Sequence, residues 1–182
     1  DRVANIVRAM KDFSHPDKRE MSMIDINRAL STTLTVAHNE LKYVANVVKE
    51  LDPDLPSVLG YASELNQVFL NLLVNAAHAI GEVTSEGKER GTITVRTTRT
   101  KDAIVVSISD TGIGIKQAVR DRVFEPFFTT KEVGRGTGQG LAIARATVVE
   151  KHGGEIYFET EEGKGTTFFI KLPLRTTQES LV

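Results

Sequence analysis

Residues 63–80 restrict the fold more than any other stretch of the chain. Leu65, Val68, Phe69, Leu72, Leu73, Val74, Ala76, Ala79 and Ile80 recur there at helical spacing, and a helix that is apolar on most sides has to be buried on most sides. One edge breaks the pattern. Gln67, Asn71, Asn75 and His78 fall at i, i+4, i+8 and i+11, so they line a single side. Amides set against a core are costly unless hydrogen-bonded. Two readings stand: a polar seam satisfied by neighbouring backbone, or an edge that faces a polar ligand or a hydrated cation. Asparagine oxygens are hard, neutral ligands of the kind Mg²⁺ accepts while it keeps several waters.

The layers that cover this helix come from the same chain. Its 182 residues, 40% of them apolar, suffice for one domain, or one domain and a stub. Residues 21–26 predict a short strand, 27–39 a helix and 43–51 a strand, followed by a loop around Pro53 and Pro56. Gly81 is expected to close the long helix as a left-handed cap, and 82–90 is polar and loose. Residues 92–99 and 103–110 alternate apolar and polar side chains and predict a hairpin. A glycine-rich stretch over 111–140 is too irregular for regular elements throughout. It leads to a helix over 141–151 that stops at His152-Gly153-Gly154. Residues 155–160 and 166–172 predict a last hairpin, and the final ten residues a tail. Before all of this, Val3, Ile6, Val7, Met10 and Phe13 mark a short helix that ends before Pro16. A helix of that length needs a partner, either missing or supplied by a second copy. Since Asp1 already lies inside the helical pattern, a fragment of a longer protein is expected.

The 23 basic residues balance 24 acidic ones, which argues against a broad nucleic-acid or anionic-membrane surface. There is no cysteine, so disulfides, thiol catalysis and cysteine–metal sites are excluded. No apolar run is long enough to span a bilayer, and a cytoplasmic domain is the expectation.

Within the first hairpin, Ile104, Val106, Ile108 and Asp110 share one face. Asp110 therefore points with the core at the end of its strand and needs a donor. An exocyclic amine such as adenine N6 suits an acceptor-only group, and Gly112 and Gly114 would let backbone approach a flat ring. An Asx turn is the competing reading. Further on, Gly134, Gly136, Gly138 and Gly140 alternate strictly up to the helix that follows, which makes an anion cradle of backbone amides. Neither a P-loop nor a GxGxxG fingerprint fits these residues. Phe124-Glu125-Pro126-Phe127-Phe128 lies between the two glycine motifs. It is expected to anchor a lid that carries Lys131 and Arg135, either of which would neutralise phosphate or stand in solvent.

Taken together, these motifs resemble the catalytic, ATP-binding domain of two-component sensor histidine kinases, over roughly residues 21–174. Residues 67–76 are similar to the family's asparagine box and Asp110-Thr111-Gly112-Ile113-Gly114-Ile115 to its first glycine box. Residues 124–128 resemble the phenylalanine box. Gly136-Thr137-Gly138-Gln139-Gly140-Leu141 and Gly163-Lys164-Gly165-Thr166-Thr167-Phe168 resemble the last two glycine boxes. The resemblance implies a Bergerat-type α/β sandwich, a mixed sheet under helices with a flexible ATP lid. It implies Asp110 and Thr166 on the adenine, Asn75 on Mg²⁺ with Asn71 beside it, and Gly136, Gly138 and Gly140 along the phosphates. His78 stands where many relatives carry Lys or Arg, which leaves the local charge dependent on pH. Ala79, Gly112, Gly114, Ile115, Lys131, Thr137, Gln139 and Leu141 complete the implied nucleotide contacts.

The related gyrase, chaperone and mismatch-repair ATPases place a general-base glutamate where Asn71 stands. An amide cannot abstract a proton, so slow hydrolysis and transfer to a protein acceptor are implied. The expected partners are ATP, a phosphoacceptor dimerisation hairpin within a homodimer, and a response-regulator receiver domain. None of His15, His38, His78 and His152 has the sequence context of the acceptor. Residues 1–20 are then expected to be the end of the dimerisation helix and a linker, and 175–182 a tail. The alternatives are an ATPase or anti-sigma-type serine kinase of the same superfamily, or a non-catalytic nucleotide-sensing module.

Overall fold

The computed structural model describes residues 20–84, 89–130 and 138–175. The expected N-terminal stub, the linker at His15, the lid residues Lys131, Arg135, Gly136 and Thr137, and most of the expected tail lie outside them. The chain runs β1 (Ser22–Ile24), α1 (Ile26–Leu41), β2 (Ala45–Glu50), β3 (Val58–Gly60), α2 (Ala62–Gly81), β4 (Gly91–Arg99) and β5 (Ala103–Asp110). A 3₁₀ turn (Gln117–Arg122) follows, then α3 (Gly140–Arg145), which continues without a break into a π-helical segment (Ala146–Lys151). The chain closes with β6 (Glu155–Glu161) and β7 (Gly165–Pro173).

Five strands form one mixed sheet in the order β2-β4-β5-β7-β6, parallel between β2 and β4 and antiparallel elsewhere. β1 and β3 make a separate antiparallel pair. The period-2 alternation of β5 puts Ile104, Val106 and Ile108 on the face that meets α2. Ile93 and Val95 of β4 and Phe168, Ile170 and Leu172 of β7 join them. Over that face lie Leu65, Val68, Phe69, Leu72, Leu73 and Ile80 of α2, all but sealed from solvent. Ile26, Leu30, Ala37 and Leu41 of α1 and Ala144 and Val148 of the α3 rod complete the cover. The all-round apolar helix is thus the centre of the helical layer of an α/β sandwich. Asp25 caps α1 by accepting from Arg28 N–H at 3.0 Å. Among the described residues no helix is long and apolar enough to cross a membrane.

Three local expectations are corrected. Gly81 is not a left-handed cap: it is the last residue of α2, and Glu82 after it is right-handed, at φ −72°. The amides of Val83 and Thr84 and the Thr84 hydroxyl converge on the Ile80 carbonyl, so the helix end is satisfied without a reversal of hand. β3 was not anticipated, because three residues are too few to show a period. The helix expected over 141–151 begins at Gly140 and changes to π geometry at Ala146. Its end is as expected: Gly153 takes φ 63° and donates to Val149 O, while Gly154 donates to Val148 O.

Candidate functional site

A cavity of about 800 Å³ opens between the C-terminal half of α2, the end of β5 with the loop that follows it, and the start of α3. Asp110 reaches it from the sheet. Asn71, Asn75, His78 and Ala79 reach it from α2, Gly114 and Ile115 from the loop, Gly138, Gly140 and Leu141 from the second glycine segment, and Thr166 from β7. The carboxylate that ends β5 and the polar edge of α2 therefore face one space.

Asp110 is 8% exposed. Its Oδ1 accepts from Gly112 N–H at 2.8 Å, and the backbone of Thr166, its partner on β7, supplies a second bond. The Asx turn that competed with a ligand reading is thus present, but it does not use up an acceptor-only group with two oxygens. Burial outweighs both bonds and pushes the carboxyl up to about 6 from 3.8. Thr166 Oγ1 lies 2.9 Å from Thr160 Oγ1, and the Thr160 hydroxyl accepts from Ile115 N–H at 2.9 Å. The loop after β5 is thereby stitched to the β6–β7 hairpin. Gly112 packs on the backbone of Ala79, where Ile113 N–H donates to Ala79 O at 3.1 Å. It seats the loop on α2 and does not itself line the cavity, and neither does Gln139.

The polar edge is less buried than a seam against the core would be. Asn71 and Asn75 are half-buried, while Gln67 and His78 are exposed. Gln67 Nε2 donates to Asn71 Oδ1 at 2.9 Å, and Asn71 Nδ2 donates to Gly140 O at 3.3 Å. Asn71 is thereby engaged at both ends of its amide. The Asn75 side chain makes no hydrogen bond among the described residues. The fully buried amide of α2 is Asn66, 5% exposed, which periodicity did not single out.

The far wall was not legible in the sequence. Lys116, Val119 and Val123 line it from around the 3₁₀ turn, Phe128, Thr129 and Thr130 from the stretch after it, and Glu82 from just past α2. Of the three phenylalanines in this stretch, Phe124 packs on the core, edge-on to Phe168 at 6.3 Å and beside Phe158 at 6.0 Å. Phe128 instead faces the cavity, with Arg122 4.5 Å over its ring. Phe127 points outward, 72% exposed, at φ 63°. Gly138, at φ 67°, passes so close to the Phe127 backbone that a Cβ there would collide with it.

Residues 60–176 match the family model described as "Histidine kinase-, DNA gyrase B-, and HSP90-like ATPase". Among curated proteins the chain is 32% identical to the sensor histidine kinase ZraS of Escherichia coli (strain K12), over 98% of this chain and 37% of that protein. It is 42% identical to sporulation kinase E of Bacillus subtilis (strain 168), over 75% of this chain and 18% of that protein. The chain thus spans well under half the length of these relatives. Among solved structures, a nucleotide-free catalytic domain of histidine kinase ThkA superposes with a TM-score of 0.72 at 27% identity, covering 85% of this chain and 95% of that one.

Proposed function

The chain belongs to the histidine kinase-, DNA gyrase B- and HSP90-like ATPases, and from that premise we propose that it is the ATP-binding catalytic part of a sensor protein-histidine kinase. The observation that carries this reading is the single cavity shared by Asp110 and the amide edge of α2. Asp110 and Thr166 hold the adenine, with Gly114 and Ile115 beside them. Gly136, Thr137, Gly138, Gly140 and Leu141 are assigned to the phosphates, with Lys131 and His78 as further nucleotide contacts.

The donor set fits Mg²⁺ carried in with the phosphates. Among the described residues no three His, Asp, Glu or Cys side chains converge as a protein cage would require. Asn75, without a hydrogen bond among the described residues, offers a half-buried amide oxygen beside the cavity. Asn75 would hold the ion, with Asn71 next to it, and the ion's chemistry is to neutralise charge on the β- and γ-phosphates.

The reaction breaks the bond from the γ-phosphorus to the β-bridging oxygen and forms a phosphorus–nitrogen bond to an imidazole. The protein's part is alignment and charge stabilisation. Asn71 supports transfer over hydrolysis. Its amide has no basic lone pair to take a proton from water, and its carbonyl and amino groups are already occupied by Gln67 and Gly140. The acceptor histidine is placed on a separate dimerisation hairpin of a homodimer, and a response-regulator receiver takes the phosphoryl group from it.

The test mixes this chain with a separately produced dimerisation hairpin and γ-labelled ATP. Acid-labile, base-stable label on the hairpin is expected. Label on serine or threonine would transfer the chain to the serine kinases, and release of free phosphate at a comparable rate would transfer it to the ATPases.

A further inference from the structure

Two antiparallel rods flank the cavity. α2 starts at Tyr61, its N-cap, and runs toward the cavity, while α3 and its π-helical continuation run from the cavity back to His152. At the cavity end the rods are joined by Asn71 and Gly140. Tyr61 lies ten residues before Asn71, about 15 Å along the helix, and there the rods are joined again. Tyr61 N–H donates to His152 Nε2 at 3.0 Å, and His152 Nδ1 meets Thr147 O at 2.8 Å. Lys151 and Glu64 pair beside them at 2.8 Å.

The His152 ring has no slack. It is 3% exposed and stands edge-on to the Tyr61 ring with centroids 5.6 Å apart. A Cβ on Gly60 would sit 2.8 Å from its Cδ2 and Nε2. The bonds also select one form of the ring: Nε2 accepts, so it carries no proton, and Nδ1–H donates to Thr147 O.

Resting on the nucleotide reading of the cavity, we propose that His152 is a positioning residue, whose ring ties the start of α2 to the end of the α3 rod and so sets how Asn71 and Gly140 face each other across the cavity. A proton on Nε2 would turn the acceptor into a donor aimed at Tyr61 N–H, so the tie exists only with the neutral ring. The charged groups around the ring are Glu64 on α2, which favours the imidazolium, and Lys151 and Arg175, which oppose it. Burial opposes it more than either, and the ring titrates below its ordinary range. Tyr61 contributes its phenol ring, nearly perpendicular to the imidazole.

The test begins with the nucleotide-free protein, titrated from about pH 7.5 to about pH 5 while the His152 ring and backbone amides are followed by NMR. The amides of Tyr61, Gly140 and Leu141 and the side-chain amide of Asn71 are expected to move with the midpoint of the His152 ring. His152→Gln places Oε1 where Nε2 accepts, and should abolish that component. Components from other groups that line the cavity, Asp110 and His78 among them, survive in His152→Gln, which separates them from that of His152. If Gly140 and Leu141 stay still while His152 titrates, the proposal is overturned.

Affinity for a fluorescent ATP analogue at neutral pH gives the second readout. It should stay within about twofold in His152→Gln but weaken about tenfold in His152→Leu, which fills the space without an acceptor. Gly60→Ala, which pushes on the ring, should weaken binding in the same direction and stands in if His152→Leu does not fold. Equal affinity in all four proteins overturns the proposal. If the amides follow His152 but no adenine nucleotide binds, the tie stands and the nucleotide reading of the cavity falls.

Discussion

Asp110 answers to two opposed demands. Its strand parity buries it with Ile104, Val106 and Ile108, and burial disfavours the charged carboxylate. An amine donor in the cavity is met best by the charged form, in which both oxygens only accept. The empty domain therefore gives up stability at neutral pH to keep an acceptor ready for a ligand. The folded-state value is raised, so the stabilisation from this group is full below 3.8 and is lost as pH rises through about 6. Asp110→Asn removes the charge and leaves Oδ1 to accept from Gly112. It cannot serve both Gly112 and Thr166 as two carboxylate oxygens can. Urea unfolding at neutral pH should accordingly show Asp110→Asn more stable than the parent by about 1–3 kcal/mol. Calorimetry on the same variant should show adenine-nucleotide binding lost. Unchanged affinity would remove Asp110 from the ligand site, and reduced stability would mean that the bond to Thr166 that asparagine gives up outweighs the cost of burying the charge.

Elements with a long period were legible because burial imposes the period on the sequence. α2 and the β4–β5 hairpin needed enough residues on one face to meet a core, and their apolar positions show it. What escaped lacks that property. β3 spans three residues. The π-helical segment keeps the composition of an α-helix, so its widened turns leave no mark in the apolar period. The far wall of the cavity stands on a single 3₁₀ turn, too short for Val119 and Val123 to form a stripe. Gly81 shows the limit of a local rule. A glycine after an apolar helix usually marks a left-handed reversal, but here Thr84 reaches back to Ile80 and the reversal is unnecessary. The correction is testable, since nothing lies within 4 Å of a Cβ built on Gly81. Gly81→Ala should raise stability in urea unfolding by about 0.5–1 kcal/mol, because a right-handed helical glycine gives way to alanine. A left-handed Gly81 would instead make the same change destabilising.

Across the whole molecule, two buried groups report on opposite sides of the sandwich, and their pH effects have opposite signs. His152 joins the helical rods at the end remote from the cavity, and its folded-state value lies below the ordinary 6.5. Its contribution to stability is full above about 6.5 and is lost as pH falls toward the folded-state value, because the unfolded chain takes up the proton first. Asp110, at the sheet end of the cavity, runs the other way. Between about 6 and 3.8 the folded chain holds the proton more tightly, so acidification adds stability. As pH falls from about 6.5 the two slopes oppose each other, so each group partly masks the other in urea unfolding of the parent protein. Each single variant unmasks the other group. Asp110→Asn should lose stability on acidification across that range, and His152→Gln should gain it. The groups sit on separate elements without a shared partner, so the double variant should lack both components and its stability should be additive. Parallel profiles in the two single variants would show that neither group titrates as its surroundings require. A double variant that departs from additivity would mean that the sheet end of the cavity and the far end of its helical wall are coupled through the fold.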